Sequence, residues 1–70
     1  MEPREQFAVN LRRLRTAAAL SQEALSELSG LHATEISRLE RGVRDPRLST
    51  IVRLARALHV EPALLVADVK

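Results

Sequence analysis

Cysteine, tryptophan and tyrosine are absent from the 70 residues, and Phe7 is the only aromatic side chain. Without cysteine there is neither a disulfide framework nor a thiolate zinc site. A single aromatic gives no platform for stacking unpaired bases, which argues against a reader of RNA or single-stranded DNA. His32 and His59 are far apart and have no second ligand at metal-binding spacing, so neither a metal nor a cofactor is expected. No apolar run approaches the roughly 20 residues that a membrane span requires. The opening Met1-Glu2-Pro3-Arg4-Glu5 has no signal-peptide character. The expected setting is therefore the cytoplasm or nucleoid, with no membrane partner. A chain of this length makes one domain with a small core and has little room for a substrate cleft. No nucleophile–base–acid grouping can be assembled from it, so it reads as a non-enzyme.

Leu (twelve) and Ala (ten) dominate what is present, against six Val and two Ile. Both dominant residues favour helix, so the expected class is all-α. Eleven basic residues against nine acidic give a net charge of only +2, but ten of the eleven are arginine. Arginine presents a planar, permanently charged fork suited to phosphate and to guanine edges. Between Arg38 and Arg56 six arginines meet only Glu40 and Asp45, a local balance of 6 − 2 = +4. Arg12, Arg13 and Arg15 form a second group. One basic face would result if folding joined the two.

Five helices follow from spacing and punctuation. The first covers about 4–18, with Phe7, Leu11, Leu14 and Ala18 on one face after Pro3. The second is capped by Ser21, turns Ala24, Leu25 and Leu28 inward, and stops at Gly30. The third covers about 32–41, buries Ile36 and Leu39, and stops at Gly42. Pro46 marks the loop before a fourth helix at about 48–58, whose apolar face is Leu48, Ile51, Leu54, Ala55 and Leu58. A fifth begins near Pro62 and is expected to run over about 61–69.

Two short helices hinged at Gly30 have the spacing of a helix-turn-helix, with Ser26 small enough to let the second approach the third. The wider pattern resembles the Cro/repressor-type (XRE) helix-turn-helix family. It comprises Leu14-Arg15, Leu20-Ser21-Gln22-Glu23-Ala24-Leu25, Gly30, Ile36-Ser37-Arg38-Leu39-Glu40-Arg41-Gly42 and Pro46. Ile51, Leu54-Ala55 and Ala57-Leu58 extend the likeness, as do Pro62 to Leu65. It covers roughly residues 11–66 and implies a compact five-helix, lambda-repressor-like fold. Leu-Arg-Thr-Ala at 14–17 and Leu-Ser-Gln-Glu at 20–23 are similar to the controller proteins of restriction–modification systems. Three positions depart from the family. Ala19 and His59 stand where glycine is usual, and Ala33 stands where a polar reader is usual.

The resemblance implies a transcriptional regulator whose third helix lies in the major groove of double-stranded DNA. Its outward residues are His32, Ala33, Thr34, Ser37 and Arg38. Arg38 has the chemistry for a guanine edge, and Thr34 for a hydrogen bond or a thymine methyl. Gln22, at the start of the second helix, and Arg44 and Arg47, after the third, fall where phosphates would lie. Arg15 and Glu40 are implied to form a structural ion pair. The C-terminal segment has more apolar residues than one core face can use. Leu65, Val66 and Val69, with Val52, are therefore expected to join two copies into a homodimer. The whole of 1–70 is then a DNA-binding domain with helix 61–69 as its dimerisation element. The alternative is an antitoxin-like protein-binding module that uses the same C-terminal helix.

Overall fold

Pro3 occupies the first position of α1 (Pro3–Ala17), where its missing N–H costs nothing. The Glu5 carboxylate accepts the Glu2 N–H at 2.8 Å, satisfying one more of that helix's free donors. The computed structural model describes residues 1–70 and continues through α2 (Gln22–Ser29), α3 (Ala33–Glu40), α4 (Leu48–Leu58) and α5 (Pro62–Leu65), with no strand. The Ser21 hydroxyl accepts the Ala24 N–H at 2.9 Å and so starts α2, as its position predicts. Gly30 ends α2 at φ +78°. Gly42 turns the chain after α3 at φ +73°, where a Cβ would sit only 3.4 Å from the Glu5 backbone. That glycine therefore serves both the turn and the close approach of α1.

The helices wrap around one cluster drawn from every element: Phe7 and Leu11, Leu25, Leu31, Ile36 and Leu39, Leu54, Ala55 and Leu58, and Leu65. α1 lies against α3 and α5, while α4 bridges α2 and α5. Leu14, Leu20 and Ile51 close the edges of this cluster. The Ser26 hydroxyl donates to the Leu31 carbonyl, and the Ser29 hydroxyl accepts the Leu31 N–H at 3.2 Å. Small polar side chains thus lock the hinge between α2 and α3.

Several expectations fail on packing. Leu28 is exposed, because the buried face of α2 runs through Leu25 and Ser29, and Leu48 projects from the first turn of α4 at 78% exposure. Ala18 caps α1 on the surface instead of extending its apolar face. The fifth helix ends at Leu65, not near 69. Contacts with α1 hold the chain at this stop. Asn10, buried in α1, donates through Nδ2 to the carbonyls of Leu65 and Ala67 at 3.0 and 2.8 Å. Asp68 then takes a left-handed φ of +64°. Leu65, expected on a dimer surface, is completely enclosed in the core and has no area to offer a partner.

Arg15 and Glu40 pair as expected. Arg15 Nε and Nη2 donate to the two Glu40 carboxylate oxygens at 2.5 and 2.9 Å, while Nη1 donates to the Leu20 carbonyl at 2.7 Å. Their side chains are 12% and 4% exposed. The hydrogen bond to Glu40, followed by its charge, raises the guanidinium pKa against the opposing effect of burial. Arg15 therefore stays charged at any pH the protein meets.

Ala19 and His59 accept the left-handed region at φ +59° and +56° instead of ending their helices in another way. Such a conformation costs an L-residue about 1–2 kcal/mol, with His tolerated better than Ala. Ala19→Gly is expected to raise stability by about 0.5–1 kcal/mol, after the extra chain entropy that glycine loses on folding. Urea denaturation measures this directly. Glu40→Ala strands a shielded guanidinium and is expected to cost about 3–5 kcal/mol. Arg44→Ala, at an exposed and unpaired site, should change thermal stability by less than about 0.5 kcal/mol, so the two melting temperatures will separate clearly.

Candidate nucleic-acid interface

His32 is the N-cap of α3, and its side chain makes no capping bond. The next turns bring Thr34 and Arg38 to the surface, with Ala33 and Ser37 half-buried beside them. Because Ile36 and Leu39 are fully enclosed, the rotation of α3 is fixed and the opposite stripe must face solvent. All five residues expected to approach bases thus belong to one short helix or its cap.

Thr34 and Arg38 form one wall of a groove of about 530 Å³, and His32 and Glu35 also line it. The far wall comes from the loop after α3 and the first turns of α4. It includes Arg44 and Arg47, both expected at phosphates, together with Ser49, Thr50 and Arg53. Arg38, Arg44, Arg47 and Arg53 line one concavity, with Glu35 and Asp45 as its only acidic residues. None has a carboxylate partner, since Arg15–Glu40 is the sole ion pair in the molecule. The basic face is built from residues that are local in sequence. Arg12 and Arg13 are exposed on α1 and do not line the groove.

Gln22 is at the first position of α2, at a helix N-terminus whose free amides favour anions. Its Nε2 already donates to Glu40 Oε1 at 3.1 Å. One side-chain N–H is thereby committed to the Arg15–Glu40 joint, and one remains for an outside acceptor. Composition had no means of indicating that contact, because the partners are 18 positions apart.

Sequence reasoning did not single out Ser49, Thr50, Arg53 or Glu35. A weak signal existed, since Ser49, Thr50 and Arg53 fall between the apolar positions of α4. Only the packing of α4 against α2 shows that this side borders the groove.

A second, apolar groove of about 230 Å³ has Phe7, Pro46 and Ile51 along it, with Val66 and Val69 from the C-terminal turn. Asp45 lines both grooves, so the apolar surface adjoins the basic one. Val66 is 41% exposed, Val69 and Val52 are half-buried, and Leu48 and Leu64 project nearby in sequence. No cluster of potential metal ligands occurs, and no helix is long and apolar enough to cross a membrane.

Comparison with known proteins agrees with this geometry. A helix-turn-helix family model matches residues 11–65. The control protein C.SmaI of Serratia marcescens is 47% identical over 66 residues, spanning 93% of this chain and 79% of that protein. The crystal structure of the restriction–modification controller protein C.AhdI from Aeromonas hydrophila superposes with a TM-score of 0.86 at 47% identity. That match covers 89% of this chain and 94% of the controller. The solution structure of the DNA-binding domain of the P22 c2 repressor superposes with a TM-score of 0.80 at 28% identity, over 91% and 86% of the two chains. These relatives are regulators rather than enzymes. A helix-turn-helix locked at Gly30, an exposed polar stripe on α3 and this breadth of similarity lead to one assignment: the chain belongs to the helix-turn-helix family of transcriptional regulators of the Cro/repressor (XRE) type.

Proposed function

We propose that residues 1–70 form a sequence-specific DNA-binding domain that acts in the cytoplasm as a homodimer on paired half-sites. The single observation that carries this reading is the groove beside α3, where four arginines lack any protein partner. Unpaired guanidinium groups on a concave wall next to a reading helix suit a phosphate backbone that flanks a major groove. In this reading Arg38 holds a guanine edge and Thr34 contacts the adjacent base. Ser37, Ala33 and His32 pack against neighbouring edges, and Ala33 supplies only apolar contact. Arg44, Arg47 and the free Gln22 amide hold phosphates on either side.

The dimer reading now rests on Val66, Val69 and Val52, with exposed Leu48 supplying the apolar area that Leu65 does not. A twofold pair would set its reading helices about 34–36 Å apart, one turn of duplex. The similarity to C.SmaI and C.AhdI further supports a role as a controller of a restriction–modification system. Genes for a methyltransferase and an endonuclease beside this one are the expected genomic context.

Selection from random duplex DNA is expected to enrich a paired motif. Arg38→Ala should lose about 1–3 kcal/mol at one base position only. Arg44→Ala should weaken all sequences alike and reduce the salt slope by about one. Failure to enrich any motif would remove the regulator reading and leave a protein-binding module in its place. Sedimentation should report a dimer at micromolar concentration, converted to monomer by Val66→Asp; a wild-type chain that stays monomeric would remove the dimer.

A further inference from the structure

Thr50 lies in the first turn of α4. It is 5% exposed, and its hydroxyl enters none of the side-chain hydrogen bonds within the protein. No fully enclosed side-chain polar atom in the molecule lacks a partner, so this hydroxyl reaches solvent. Thr50 lines the basic groove, which makes the groove the solvent it reaches. The hydrogen-bonding capacity of that hydroxyl is not taken up by the protein and is open to an acceptor in the groove. One turn further along the same helix face, Arg53 lines the same groove, and its guanidinium passes about 3.9 Å from where a Gly30 Cβ would stand. That places it against the hinge between α2 and α3 with no carboxylate to hold it.

A recessed neutral donor and an unpaired guanidinium, at i and i+3 on α4, thus line the same groove. A hydroxyl donor beside a forked cation is the chemistry of an oxyanion seat. Arg44 and Arg47 also line this wall and raise its positive potential. Resting on the DNA-binding reading above, we propose that Thr50 and Arg53 together seat one backbone phosphate. The DNA footprint thereby extends from the helix-turn-helix onto the middle of α4. Arg53 supplies charge, and Thr50 supplies a short, fixed hydrogen bond that positions the phosphate.

The test compares Thr50→Val, Arg53→Ala, Arg53→Lys and Arg38→Ala with the wild-type chain. Each is measured on the selected duplex across a range of salt. Arg53→Ala should weaken every sequence several-fold and reduce the salt slope by about one, with Arg53→Lys restoring the slope. Thr50→Val should weaken binding several-fold with the slope unchanged, while its melting temperature stays the same or rises. That combination separates a phosphate contact from a structural role, which would lower the melting temperature instead. Wild-type affinity and slope in both Thr50→Val and Arg53→Ala, with base preference still lost in Arg38→Ala, would overturn the seat while the DNA-binding reading stands. A parallel titration of the free protein with inorganic phosphate, followed by amide chemical shifts, decides the seat without DNA. Shifts centred on Thr50 and Arg53 and abolished by Thr50→Val support it. If the wild-type chain binds no duplex, the same shifts assign the seat to a free phosphate-bearing ligand; their absence in that case overturns it.

Discussion

Arg15 is the joint that fixes α3 and its exposed face against α1 and the start of α2. Its guanidinium binds both oxygens of Glu40 at the end of α3 and the carbonyl of Leu20 just before α2. Gln22, the first residue of α2, adds a bond to the same carboxylate. Three helices are thus held at one place by groups that water would otherwise separate. Burial makes such a joint effective, since two shielded charges with satisfied hydrogen bonds are costly to pull apart singly. The joint holds the C-terminal end of α3. The other end is locked at the hinge, where Ser26 and Ser29 bind the backbone of Leu31. With Ile36 and Leu39 filling the space between, α3 has no freedom to roll, and its exposed stripe is presented in one orientation.

That rigidity explains the division of charge. The net charge of +2 averages a paired set inside and an unpaired set around the groove. Arg15 and Glu40 neutralise one another inside, whereas Arg38, Arg44, Arg47 and Arg53 remain unpaired around the groove. Surface arginines without partners contribute little to folding, and their charge is then available to an external anion. The C-terminal turn divides in the same way. Leu65 enters the core under the hold of Asn10, and Val66 is left on the surface beside the apolar groove.

The helices were legible because their signals are local. Ser21, Gly30, Gly42, Pro3 and Pro62 act on their own turns, and the boundaries they predict agree with the structure to within about two residues up to α4. The exposed stripe of α3 was legible for the same reason, since the burial of Ile36 and Leu39 dictates which neighbours face outward. The fifth helix was misread because its end depends on Asn10, 55 residues away in sequence from the carbonyl it binds. Leu28 and Leu48 were misread because helical spacing does not reveal whether a neighbour exists to cover a given face.

The order of elements, their caps, the unusual weight of arginine and the spacing that marks the family were all determined by the sequence itself. Each is a property of a residue and the few that flank it. Tertiary structure alone decided which arginines remain unpaired, which leucine of the C-terminal pair is buried, and that Thr50 and Arg53 border the same groove as Arg38. Those outcomes depend on where distant elements meet, and packing fixes that through contacts between residues that the chain keeps far apart.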